Sequence, residues 1–76
     1  MVYPNPALSI VTIELNNTNN DVSNTVIIYN NIGRPVITQA MTGSRVTINI
    51  TGISAGIYFV KQTNGGQAVM AKFIKN

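Results

Sequence analysis

The chain has 76 residues, enough for one small domain and too few for a second core. With 45% of its residues hydrophobic and 9% charged, it is too apolar for a disordered tail; having no Cys and no His, it has no disulfide, thiol nucleophile or zinc, haem or iron–sulfur ligand set. The net charge of +3 comes from Arg34, Arg45, Lys61, Lys72 and Lys75, scattered where a nucleic-acid binder clusters them, and the acids Glu14 and Asp21 make no paired-carboxylate site, so the inventory argues against an enzyme and a nucleic-acid partner.

Eleven Ile, eight Val and eight Thr favour pleated backbone over helix, and apolar runs recur between turn residues. The pattern predicts an all-β fold, a small Ig-like antiparallel β-sandwich of about seven strands. Val2-Tyr3 leads into Pro4-Asn5-Pro6, where two prolines remove ladder donors and place the entry at a sheet edge. Residues 8–15 read as a half-buried strand, with Val11, Ile13 and Leu15 on one face and Thr12 and Glu14 on the other. Residues 16–21 are polar turn formers and predict an exposed, mobile loop.

Residues 25–29 form the next strand, ending at Asn30-Asn31-Ile32-Gly33, which supplies positive φ for a tight turn. Residues 34–41 return as its partner, with Pro35 marking an edge strand. Residues 45–50 alternate strictly, Val46, Ile48 and Ile50 inward against Arg45, Thr47 and Asn49 outward. Residues 51–56 cross over, with Ile53 plugging one end of the core. Residues 56–62 carry apolar side chains on both faces, which predicts a central strand covered on each side. Asn64-Gly65-Gly66 is a hairpin turn, and residues 67–75 form the last strand.

Several motifs have a functional and a bland reading. The sequons at Asn16 and Asn49 arise easily in a chain rich in Asn and Thr, and a calcium loop over 16–21 has one carboxylate, below the charge count of a tight site. No metal or cofactor is therefore expected. Tyr3, Tyr29, Tyr58, Phe59 and Phe73 offer a sugar-stacking platform or, more simply, core packing. Lys72 and Lys75 flank Phe73-Ile74; an acidic receptor groove reads such cations, and an edge strand also uses Lys to block aggregation. No run approaches the roughly 18–20 apolar residues of a membrane span, and the N-terminus lacks the features of a signal peptide. Met1 directly before Val-Tyr-Pro suggests an expression start codon, and hence a single domain excised from a larger secreted protein.

Four segments in order resemble the type A C-terminal sorting domain of the type IX (Por) secretion system of Gram-negative bacteria. These are Val2-Tyr3-Pro4-Asn5-Pro6-Ala7, then Ile28-Tyr29-Asn30 with Gly33-Arg34-Pro35-Val36, then residues 53–60 around Gly56-Ile57-Tyr58, and finally Lys72-Phe73-Ile74-Lys75. Ile53 stands where the family more often has Leu, Asn49 where an acid is common, and Asn76 follows the terminal Lys.

The resemblance implies a non-catalytic address label at the C-terminus of a cargo protein. Such domains pass through the periplasm and the outer-membrane translocon, are met by a shuttle receptor, and are usually removed by a sortase-like protease upstream of Val2, leaving the cargo at the cell surface or outside the cell. On this reading Pro4, Asn5, Pro6, Gly33 and Gly56 hold the scaffold, and Tyr58 packs with a hydrogen-bonded hydroxyl. Lys72 and Lys75 on the last strand make the receptor contact, the strand edge serving for β-augmentation or for self-association. The alternative is an accessory carbohydrate-binding or adhesion β-sandwich of a secreted enzyme, recognisable by an exposed aromatic pair or a polar cleft.

Overall fold

The computed structural model describes residues 2–14, 23–43, 45–64 and 67–76. Within them lie seven strands and no helix: β1 (Val2–Tyr3), β2 (Ile10–Glu14), β3 (Ser23–Tyr29), β4 (Pro35–Thr42), β5 (Arg45–Asn49), β6 (Gly56–Asn64) and β7 (Gln67–Lys75). They form an antiparallel sandwich of a three-stranded sheet in the order β1-β2-β5 and a four-stranded sheet in the order β4-β3-β6-β7.

Period-2 alternation decides which side chains enter the core. From the three-stranded sheet come Val11, Ile13 and Ile48, and from the four-stranded sheet Val26, Ile28, Tyr58, Val60 and Phe73, all buried. Ile50, just past β5, is fully buried; Ile53 and Val46 pack on the same cluster. The strict alternation of residues 45–50 and the plug role of Ile53 are thus borne out. Pro35 opens β4, an edge of the four-stranded sheet, where the missing N–H costs no ladder bond.

Three expectations need adjustment. β2 begins at Ile10, leaving Leu8 exposed, and Thr12 is buried although it alternates away from Val11 and Ile13. Its hydroxyl lies 3.3 Å from that of Thr47, directly opposite on β5, so the two satisfy each other. β6 is central in its sheet, between β3 and β7, but it is not covered on each side: Ile57 is exposed and Phe59 half-buried on the face turned away from the core. Hydrogen-bonded position and face coverage are separate properties, and apolar residues on both faces establish neither, since β7 carries them too and is an edge strand. The loop at 16–21, its sequon and the candidate calcium loop lie outside the described residues, as do Gly65 and Gly66; Asn64 and Gln67 face each other across that hairpin.

Opposite Arg45 in the β2–β5 register stands Glu14, whose Oε2 accepts from Arg45 Nε and Nη2, both at 2.9 Å, and from Tyr3 Oη at 3.1 Å. The hydrogen bond to Glu14 raises the Tyr3 phenol above its ordinary value, with smaller contributions from desolvation and from the Glu14 charge, opposed by Arg45. The cluster ties the two edge strands of this sheet to β2. In the other sheet, Gln62 Nε2 is buried on β6 with no hydrogen-bond partner among the described residues.

Candidate functional site

The residues singled out in the sequence fall into three places. The first is a strap formed by Pro4, Asn5, Pro6 and Ala7, which crosses from β1 to the far end of β7. The Tyr3–Pro4 and Asn5–Pro6 peptide bonds are both cis. Asn5 Oδ1 accepts from the Ile74 N–H at 2.9 Å, the Ala7 N–H donates to the Ile74 carbonyl at 2.7 Å, and the Asn76 N–H donates to the Ala7 carbonyl at 2.9 Å. Ala7 is fully buried and makes a parallel bridge with Lys75. The two ends of the chain are thereby fastened together. The prolines lack the N–H that a regular edge strand would show to solvent, and the Asn5 amide supplies the acceptor that β7 needs there.

The strap divides the outer edge of β7. In an antiparallel strand alternate residues turn their backbone groups to the same side. Since Ile74 offers its N–H and C=O outward, Lys72, Met70 and Ala68 do so as well. Among the described residues, the edge is closed at Ile74 and open from Ala68 to Lys72.

The second place is the end of the sandwich at the β3–β4 turn and the β5–β6 crossover. Gly33 has φ of 84°, in the left-handed region, and its N–H donates to the Asn30 carbonyl at 3.0 Å. A Cβ there would meet nothing within 4 Å, so the demand for Gly is one of backbone conformation alone. Asn30 Oδ1 accepts from the N–H groups of Ile32 and Arg34, which holds the turn from inside. Gly56, at φ of 156°, starts β6, and two residues on the buried Tyr58 donates its hydroxyl to the Ser54 carbonyl at 2.5 Å. Its ring stacks on Phe73, with centroids 5.6 Å apart and planes 21° apart. A cleft of about 250 Å³ lined by Asn30, Asn31 and residues 54–58 separates the two turns. Tyr58→Phe keeps the stack and removes the hydroxyl, so it should lower stability by about 0.5–1.5 kcal/mol, read as a small drop in Tm with an unchanged far-ultraviolet circular dichroism spectrum.

The third place is β7 itself. Lys72 and Lys75 are an odd number of positions apart and therefore turn to opposite faces. Phe73, between them, faces the core, so Lys72 lies on the outer face of the four-stranded sheet; Lys75 is half-buried beside the strap, opposite Gly56. The structure does not bring the two lysines together as one patch. It brings Lys72 near Lys61 instead, because Phe59 pairs with Lys72 and Lys61 with Met70.

The aromatics divide in the same way. Tyr58 and Phe73 are core, and Tyr3 serves Glu14. Tyr29 and Phe59 pair across β3 and β6 and stay half-buried on the outer face. At the second sequon, Asn49 Oδ1 accepts from the Thr51 N–H and hydroxyl, so that side chain is used in closing a turn. Among the described residues, no three His, Cys, Asp or Glu gather as a metal site, and no helix is long and apolar enough to cross a membrane.

With the strap joining the first and last of the four motif segments, comparison with known families identifies the chain. The profile of the secretion system C-terminal sorting domain matches residues 1–76, the whole length. The chain belongs to that family. Its members are C-terminal sorting signals for type IX secretion, which delivers proteins to the cell surface or the extracellular space of Gram-negative bacteria. No curated protein and no solved structure matches the chain. In this sorting domain the segments that carry the family resemblance meet at two points of the fold: the first and last at the strap, the second and third around the cleft at the β3–β4 turn.

Proposed function

We propose that this chain is the address label of a larger exported protein. It is carried as a folded sandwich from the periplasm to the outer-membrane translocon, recognised there by a shuttle receptor, and cut from its cargo by a sortase-like protease upstream of Val2. The domain contributes no chemistry of its own. The observation that carries this reading is the family match over the full length. The receptor contact runs along the last strand: Lys72 beside the open stretch of the β7 edge, with Lys75 at the strap. Pro4, Asn5, Pro6, Gly33, Gly56 and Tyr58 keep that strand in place.

The test is a fusion of this domain behind a fluorescent reporter with a signal peptide, compared in a type IX-competent cell and in one lacking the translocon. Reporter should appear outside only the first. Reporter trapped in the periplasm of both strains would end the sorting reading. Lys72→Ala with Lys75→Ala should reduce export without lowering Tm, since neither side chain is in the core; unchanged export would remove the last-strand contact.

The half-buried pair Tyr29 and Phe59 favours one second reading, the accessory carbohydrate-binding module. That reading requires soluble glycans to raise the Tm of the isolated chain, and a flat response across a glycan panel would exclude it.

A further inference from the structure

The outer face of the four-stranded sheet is apolar where solvent would call for polar residues. Tyr29 and Phe59 lie side by side on β3 and β6, and Met70, 62% exposed, lies on β7 diagonal to Phe59. Tyr29, Gly33, Phe59, Lys61 and Met70 line a shallow depression of about 310 Å³, the size that takes one side chain. Lys61 on β6 and Lys72 on β7 stand beside it on diagonal cross-strand positions, roughly 7 Å apart at their β-carbons. Like charges so placed repel one another. Among the described residues no acidic side chain shares this face, since Glu14 is on the other sheet with Arg45. Two cations this close, with no anion beside them among the described residues, form half of an ion-pair arrangement.

Next to the same lysines runs the open edge of β7. The residues whose backbone groups point outward there, Ala68, Met70 and Lys72, are also those whose side chains lie on the outer face. A strand added to this edge would set its own alternate side chains beside Met70 and Lys72. Three occupants can be compared. A second copy of the chain, pairing antiparallel over Ala68 to Lys72, would set Lys72 opposite Ala68 of its copy and double the cations on the face without adding an acidic side chain from the described residues. A lipid surface would meet the charge but leave the β7 N–H and C=O groups without partners in register. An extended peptide with carboxylates satisfies both and fills the depression with one apolar side chain.

We propose that this outer face, centred on Lys61, Lys72 and the apolar cluster of Tyr29, Phe59 and Met70, docks an extended acidic segment of a protein partner, which pairs with β7 at Ala68 to Lys72. Placing that partner in the export apparatus rests on the sorting reading above. Lys61, which the sequence motifs do not include, becomes as important as Lys72, and Lys75, turned to the opposite face at the strap, serves the receptor contact without touching this segment.

The test has two arms. In the first, the amide resonances of the chain are followed while a synthetic peptide of alternating Glu and Val with one central Phe is added. Its Gln counterpart, vesicles of mixed phosphatidylethanolamine and phosphatidylglycerol, and soluble glycans are added in parallel. The acidic peptide should shift Phe59, Lys61, Met70 and Lys72, with Kd about tenfold weaker for the Gln peptide and for Lys61→Gln/Lys72→Gln. Equal binding of the Gln peptide overturns the inference, as does a response confined to vesicles or glycans, or no response at all.

In the second arm the reporter fusion carries Lys61→Gln/Lys72→Gln or, as a control for net charge, Arg34→Gln. Export should fall about tenfold for the first and stay level for the second, with unchanged Tm in both. Normal export of the lysine variant overturns the docking surface and leaves the sorting reading intact. Failure of the unmodified fusion to leave the cell removes the sorting reading instead, and the peptide titration then decides the docking surface by itself.

Discussion

Phe73→Ala should come close to unfolding the domain. Phe73 is fully buried near the C-terminal end of β7, opposite Tyr58, and its ring is half of the one aromatic stack among the described residues. Truncating such a side chain costs about 3–5 kcal/mol, the lost transfer energy plus the cavity left behind. A domain of 76 residues has a total stability of about 4–11 kcal/mol at typical values per residue. The loss is therefore comparable with the whole. A urea titration followed by circular dichroism should show the midpoint falling towards zero denaturant. The neighbouring Ile74→Ala is the control: that side chain is 41% exposed on the outer face and its removal should cost well under half as much. Equal losses from the two would mean that the strand does not turn Phe73 inward. Export of the reporter fusion should fail for Phe73→Ala through loss of the folded strand, a route distinct from the lysine substitutions, which leave Tm unchanged.

Deleting residues 1–7 has the next largest expected effect. The deletion removes β1, the buried Ala7 and three hydrogen bonds that close the β7 edge at Ile74 and Asn76. At about 1 kcal/mol for each bond, with the packing of Val2 and Ala7 added, stability should fall by about 3–5 kcal/mol. A second consequence concerns association. With the strap gone, β7 presents outward backbone groups along its whole length, an unblocked edge that pairs readily with another copy. The truncated chain should elute from a sizing column in a concentration-dependent way where the intact chain does not. Amide exchange gives the local readout: the Ile74 and Asn76 N–H groups should lose protection, while the Val60 amide in the central strand should follow the global change only. Retained protection at Ile74 would show that the strap does not hold β7.

Asn5→Ala separates the side-chain contribution from the rest of the strap. It removes one acceptor and keeps both Ala7 backbone bonds, so exchange at Ile74 should accelerate more than at Asn76, with a loss of about 0.5–1.5 kcal/mol. A uniform acceleration would point to global destabilisation instead.

Much of the architecture was legible from local pattern. Val46, Ile48 and Ile50 alternate with polar residues and could be given a face without any knowledge of the partner strand, because a pleated strand has a fixed period of two. Pro35 took its edge position from an equally local fact, its missing N–H. The period of two also held information that motif reading overlooked: Lys72 and Lys75 look like a pair in a linear signature, yet their odd separation already sends them to opposite faces. The closeness of Lys61 and Lys72 follows from the β6–β7 hairpin once Asn64 is set opposite Gln67, since the register then fixes every later pair.

What no local pattern carried is pairing between distant parts of the chain. Pro4 and Pro6 signal the absence of ladder donors, but nothing near them says that Asn5 will find Ile74, 69 positions along. Apolar residues on both faces of β6 look alike whether the second face meets another layer or solvent; only the packing of the two sheets decided that Tyr58 is enclosed and Phe59 half open. Glu14 and Arg45 likewise became partners through the β2–β5 register. The sequence by itself determined the class of fold, the strands and most of their inward faces, because these follow from side-chain shape and backbone period over a few residues. The tertiary structure alone decided the strap, the closed and open halves of the β7 edge and the uncovered cationic face, because each depends on which strands meet and on how much of a sheet its neighbour can cover.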